Sequence, residues 1–246
     1  MPESAEMPIV RRGFLAGAFL LPAAAKAAQA QESWEDKHQR QLKEDWPWLG
    51  RYAADNTTLI ASGRKVDIVF MGDSITEGWQ SKHPAFFTPG RICRGISGQT
   101  TPQMVLRMMA DVIALKPRLI HIMAGTNDIA GNTGKMTVQQ SCDNLRMMTE
   151  LAQANGIKVL LASVPPADHF PWRQGLETVQ PIRKINAWLA DYARRARATY
   201  VDYTSVLATE EGAMKPGMAY DGVHPTEQGY AAMETVLAPV LKAHKA

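Results

Sequence analysis

The chain has 246 residues, 46% of them hydrophobic, and a formal net charge of +3. That composition suits one globular domain with a sizeable core, and the charge is too weak and too scattered to point to nucleic acid as a partner.

At the N-terminus, Arg11-Arg12-Gly13-Phe14-Leu15 forms a twin-arginine pattern, and a mild apolar run from Ala16 to Leu21 follows. Ala28-Gln29-Ala30 supplies a small-x-small cleavage site before Gln31. Residues 1–30 therefore read as a twin-arginine-type signal peptide, a client of the twin-arginine export machinery, with a periplasmic or secreted destination. Lys26 favours this route over the general one; Val10 stands where Ser or Thr is usual, and Met7 is an alternative start. The apolar run is far short of a span, so no stable membrane insertion is expected. Residues 31–246 remain as a single domain.

From Gln31 to about Asn56 the chain is polar and Trp-rich, and reads as a helix on the outside of that domain. Val66, Ile68, Val69, Phe70 and Met71 form a short apolar run rich in β-branched and aromatic residues, the pattern of a strand buried on both faces. Gly72 ends it, and Asp73 and Ser74 follow where a helix opens. Backbone N–H groups there have no intrahelical partner and can hold an anion, a suitable place for a nucleophile whose attack creates an oxyanion. Ser74-Ile75-Thr76-Glu77 is equally a capping box, which needs no catalysis.

Arg91 to Arg94 reads as a second strand, ending in Gly95-Ile96-Ser97-Gly98-Gln99. Thr101-Pro102 opens a helix, with Thr as cap, whose apolar stripe is Met104, Val105, Met108, Met109, Val112 and Ile113. Core filling explains its methionines better than a binding groove does. Leu119 to Ala124 is a third strand, running into Gly125-Thr126-Asn127-Asp128. Thr137 with Gln140 caps a further helix that closes at Asn155-Gly156. Val159 to Ala162 is a fourth strand and Thr199 to Asp202 a fifth, with a helix from about Pro181 to Arg195 between them. A last helix follows Asp221-Gly222-Val223-His224-Pro225. Cys93, at a strand end, and Cys142, in a helix, read as two buried free thiols.

Strands alternating with helices give an α/β fold: three layers, α/β/α, around a five-stranded parallel sheet. Loops after the strands then share one rim, which brings Ser74, Gly98, Asn127 and the loop after Val164 to the same edge. A serine nucleophile needs a base and a group to hold that base. Of the six histidines, His121 lies mid-strand, His38 and His244 sit on helical ends, and His83 and His169 lie in loops with no acid in a telling place. Only His224 follows an acid in a tight frame, Asp221 three residues before it. That turn also reads as a plain helix-opening motif.

GDSITEGW, RGISGQTT, GTND and DGVHP, in this order, resemble the four sequence blocks of the SGNH hydrolases, also called GDSL-type esterases and lipases. The blocks run from Asp67 to Pro225. The resemblance implies a flavodoxin-like SGNH hydrolase fold and a serine carboxylic ester hydrolase working through an acyl-serine intermediate, with no cofactor and no metal. It implies Ser74 as nucleophile, His224 as base and Asp221 as the acid that holds it. It implies an oxyanion hole of Ser74 N–H, Gly98 N–H and the Asn127 side-chain amide. The Gly-x-Ser-x-Gly elbow of α/β-hydrolases is not present around Ser74.

With no long apolar cap segment in the chain, short acyl groups and an open site are expected. Within the family, a carbohydrate O-acetylesterase and a lysophospholipase-like lipase are the alternatives. The substrate is thus a small-molecule or carbohydrate ester. Trp79, Phe170 and Trp172, with Phe86 and Phe87, are candidate walls of the cleft, and each serves packing equally well. Two other classes compete: a metal-dependent phosphoesterase using Asp73, Asn127, Asp128, Asp221 and His224, and a non-catalytic binding module on the same fold.

Overall fold

Every residue of β1, Ile68–Gly72, is buried, which is what an apolar run with no polar alternation requires. The structure, a computed structural model, describes residues 33–245, so the export signal expected over residues 1–30 lies outside the described residues. β2 (Arg91–Gly95), β3 (Leu119–Met123), β4 (Lys158–Ala162) and β5 (Thr199–Val201) join β1 in one sheet of order β2-β1-β3-β4-β5. All its pairings are parallel. This is the flavodoxin-like order of a doubly wound sheet, and its direction of winding reverses between β1 and β3.

Helices cover both faces. α3 (Ser74–Lys82) packs with α9 (Glu227–His244) on one side, while α4 (Thr101–Asp111), α6 (Val138–Ala154) and α7 (Val179–Arg195) pack side by side on the other. Thr137 and Gln140 form the expected capping box of α6, and Asn155 ends it with Gly156 at φ +72°. On α4 the cap is Thr100, one residue earlier than expected, paired with Gln103. Thr101 is released by that shift and binds Asp128 instead. Of the α4 stripe, Met104, Met108 and Val112 are buried, whereas Met109 is exposed.

Instead of one helix from Gln31 to about Asn56, the chain forms α1 (Trp34–Glu44) and α2 (Ala53–Ala61), with a single 3-10 turn at Leu49–Arg51. Two features cause the break. Pro47 has no N–H to offer a continuing helix, and the Asp45 carboxylate captures the N–H groups of Leu49 and Gly50 at 2.8 and 2.7 Å. Two short helices, α5 (Thr126–Ala130) and α8 (Thr204–Leu207), follow β3 and β5 directly. Cys93 and Cys142 are both buried and free.

Candidate active site

Ser74 is the first residue of α3, and Asp73 caps that helix, its Oδ1 accepting the N–H of Ile75 at 2.9 Å. The capping box expected from Ser74 and Glu77 does not form. Glu77 turns to the next loop, where its Oε2 accepts the N–H and Oγ–H of Ser97 at 2.8 and 2.6 Å. An Asp placed directly before the Ser outcompetes it as cap, and the Ser74 hydroxyl is left for another partner. That partner is His224, whose Nε2 lies 2.9 Å from Ser74 Oγ across 150 residues of sequence.

The imidazole is held by its own turn. Asp221 Oδ1 accepts the N–H groups of Val223 and His224 at 3.0 and 2.8 Å, and Oδ2 lies 2.8 Å from His224 Nδ1. Burial works to raise the Asp221 pKa, but the His224 hydrogen bonds outweigh it and hold the carboxyl below its usual value. An ionised Asp221 accepts from Nδ1–H, which leaves the lone pair of Nε2 facing the serine hydroxyl. Gly222 makes the turn possible at φ +82°, with the His169 ring packed where a side chain would stand. At Asp73 burial prevails over the hydrogen bonds instead, and the carboxyl is pushed up to about 6.

Gly98 occupies the turn after β2 at φ +77°, a conformation that favours glycine. Asn127 is the second residue of α5, the helical turn after β3, and is 3% exposed. Its Nδ2 donates to Gln99 O at 3.0 Å, and its Oδ1 accepts from Asn132 at 2.8 Å. Asn132 thus fixes which end of the Asn127 amide carries the hydrogens, and one of the two remains for a ligand. The turn bearing Gly98 is anchored from behind, where Gln99 accepts from Arg107 Nε and donates to Pro47 O, both at 2.7 Å.

Ser74, Gly98, Asn127, Trp172 and His224 line one open cleft of ≈ 430 Å³. Trp172 lies on its wall, 41% exposed, with its ring 5.8 Å from that of His224 and its Nε1 3.3 Å from Asn132 Oδ1. The other two aromatic candidates are elsewhere. Trp79 is fully buried, stacked on Phe86 at 4.8 Å and on Tyr230 at 5.7 Å, with Nε1 donating to Glu234 at 2.9 Å. Phe170 is 1% exposed and lies flat beneath Trp172 at 5.2 Å, supporting it. Phe86 and Phe87 pack on Phe70.

The loop histidines do have acidic neighbours, contrary to expectation: His83 Nδ1 lies 2.7 Å from Glu234, and His169 Nδ1 2.7 Å from Asp168. Neither bonds to Ser74. The residues of the metal reading are engaged separately. Asp73 caps α3, Asp128 accepts the N–H and hydroxyl of Thr101 at 2.8 and 2.6 Å, and Asp221 holds its own turn. Among the described residues no three His, Cys, Asp or Glu side chains gather as a metal would require.

Sequence reasoning missed Asn132, Arg173, Ser97, and Gln39 and Leu42 of α1, all of which border the cleft. Asn132 carried a faint signal, five residues beyond Asn127 in the same turn. Gln39 and Leu42 carried none, because nothing in a polar helix says which domain edge it will cover.

The model of the GDSL-like Lipase/Acylhydrolase family matches residues 70–232 of this sequence. The chain belongs to that family. Its GDSL-type fold is shared with a candidate acylhydrolase of Bacteroides fragilis NCTC 9343 at 42% identity and TM-score 0.77, covering 81% of this chain and 98% of the other. A GDSL-like lipase of Bacteroides thetaiotaomicron VPI-5482 is similar at 42% identity and TM-score 0.76, over 81% of this chain and 99% of that one. The uncharacterized lipoprotein YqeF of Bacillus subtilis (strain 168) is 43% identical over 75 residues, 29% of this chain and 31% of that protein. The chain thus matches about a third of that curated relative's length. Acyl ester hydrolysis is the chemistry this family membership points to.

Proposed function

We propose that this protein is a serine carboxylic ester hydrolase that cleaves short acyl esters through an acyl-serine intermediate. The single observation that carries the reading is the unbroken hydrogen-bonded chain from Ser74 Oγ through the His224 ring to Asp221. In the first half-reaction Ser74 Oγ attacks the ester carbonyl while His224 Nε2 takes its proton, and Asp221 holds the imidazolium that forms. Charge on the tetrahedral oxygen meets the N–H groups of Ser74 and Gly98 and the free hydrogen of the Asn127 amide. His224 returns the proton to the departing alcohol, and water repeats the sequence on the acyl group, restoring Ser74.

The open cleft supports a short acyl group. A carbohydrate alcohol is a second reading, favoured by Trp172, an exposed aromatic face beside polar groups from Ser97, Asn132 and Arg173. Aromatic faces of that kind suit the apolar face of a sugar ring. A chain-length series of p-nitrophenyl esters run beside an acetylated oligosaccharide separates the two readings. Export through the twin-arginine pattern completes the proposal, and the name of the Bacillus subtilis relative, a lipoprotein, is in keeping with it.

The test of the mechanism is covalent labelling. A fluorophosphonate probe is expected to label the parent and to leave Ser74→Ala unlabelled, with ester turnover lost in step. Turnover that survives in Ser74→Ala but falls with a chelator would favour the metal-dependent phosphoesterase, and no turnover or labelling at all would favour a binding module.

A further inference from the structure

A second cavity, ≈ 490 Å³, lies at the opposite edge of the sheet, where the strands begin. Its floor is apolar: Val66 and Leu115 are buried, Leu59 packs on the core, and Ile60 stands 54% exposed at the rim. Arg64, Lys65, Lys116 and Arg118 border it against a single acid, Asp67, which Arg118 already pairs at 3.0 Å.

The cationic character continues beyond the cavity. Lys158 opens β4 and lies in register with Leu119, the neighbour of Arg118. Arg197 stands two residues before β5. Lys242 is in the last turn of α9, whose end is tied to this edge by His244 Nε2, 3.2 Å from Thr199 Oγ1, and by the Arg118 guanidinium on Lys245 O. Arg64, Lys65, Lys116, Lys158, Arg197 and Lys242 are all exposed, and none makes an ion pair among the described residues. Six such charges in a chain of net +3 mean that everything else sums to −3. They form a cationic pole that faces away from the cleft.

We propose that this pole docks on an anionic lipid bilayer, seating one lipid with its phosphate among Arg64, Lys65 and Lys116 and its upper acyl segment on Leu59, Ile60 and Leu115. Charge complementarity selects a polyanion, and the apolar floor selects lipid over nucleic acid, whose phosphates gain nothing from Leu and Ile. Docked in this way, the protein lies on the surface without inserting, and its cleft opens to water. Its ester would then arrive from solution rather than from the bilayer beneath. The inference is independent of the chemistry at Ser74.

Sedimentation with phosphatidylcholine vesicles, with and without phosphatidylglycerol, tests it on the full chain. Binding is expected only to the anionic vesicles and is expected to weaken as salt rises. Lys65→Gln/Lys116→Gln/Lys158→Gln is expected to bind about a hundredfold more weakly, roughly fivefold per charge. Ile60→Asp is expected to weaken binding as well, while both variants hydrolyse p-nitrophenyl acetate like the parent. Any N-terminal contribution is common to parent and variants, so it cannot mimic that loss. Equal binding to neutral vesicles, or a triple variant that binds like the parent, would overturn the proposal. Displacement by duplex DNA at equal phosphate concentration, or an Ile60→Asp variant that binds unchanged, would overturn the lipid seat in favour of a general polyanion surface.

Discussion

Asn127, unlike the two backbone donors of the proposed oxyanion hole, is a side chain and can be removed by substitution, which also takes away its hydrogen bond to Gln99 O. Under the proposed mechanism its amide meets charge that exists only in the transition state. Asn127→Ala is therefore expected to lower kcat by ~10²–10³ with little change in KM, as steady-state kinetics on a short p-nitrophenyl ester would show. An equal loss in kcat and in affinity would assign it to ground-state binding instead. Two other buried groups set a pH dependence of stability. Asp73 is raised by burial from 3.8 to about 6, so the folded state holds its proton more tightly than the unfolded state does. Its contribution is fully present below pH 3.8 and is lost as pH rises to about 6. His121 is lowered by burial from 6.5 to about 3, with Nε2 2.9 Å from Tyr203 Oη and Nδ1 unpartnered. Its contribution is present above pH 6.5 and is lost as pH falls toward 3. The two slopes oppose each other across the same window. Urea unfolding from pH 4 to 6.5 is expected to show Asp73→Asn losing stability more steeply on acidification than the parent, and His121→Gln losing less.

The elements carry a buried charge system, which holds the turn bearing Gly98 from behind. Arg107 of α4 is fully buried, pairs with Asp111 one turn on, donates to Gln99 Oε1 at 2.7 Å and to Arg94 O at 3.1 Å. Asn56 of α2 ties Asp111 to Arg94, its Nδ2 on Asp111 at 2.7 Å and its Oδ1 accepting from Arg94 Nε at 2.9 Å. Removing one ion of a buried pair strands the other, so Arg107→Met is expected to cost about 3–5 kcal/mol in denaturant unfolding. Arg107→Met/Asp111→Leu is expected to recover much of that, because no charge is left uncompensated. Element boundaries were legible in the sequence where a local contest had one strong contestant. Thr137 and Gln140 form their box because no rival cap adjoins them. At Ser74 and Thr101 the residue before was itself a good cap, and the neighbouring loop decided the outcome by drawing off Glu77 and Thr101. The break between α1 and α2 was visible in Asp45 and Pro47, but a continuous polar composition masked it.

At the scale of the whole molecule, α1 wraps over the edge that holds the cleft, lending it Gln39 and Leu42. Gln41, whose amide donates to Asp45 O and Trp46 O, is its one buried side chain among the described residues. So few of the described side chains of α1 enter the core that a chain starting at Asp45 is expected to unfold cooperatively, as calorimetry would show. Its kcat/KM is expected to fall about tenfold for esters long enough to reach Leu42, and little for acetate. Among the described residues no helix is long and apolar enough to cross a membrane. The sequence alone determined the succession of the five strands, the shared rim and the placing of Ser74, Gly98 and Asn127 on it, because hydrophobic period and strand-end placement are local properties of the chain. Only the tertiary structure decided which tryptophan walls the cleft and which lies in the core. Trp79 is covered by Tyr230 and Glu234, some 155 residues away, and no local pattern encodes that. Charge followed the same rule. Spaced along the sequence, Arg64, Lys65, Lys116, Lys158 and Arg197 look scattered, and they meet at one pole because parallel strands bring all their starting ends to the same edge.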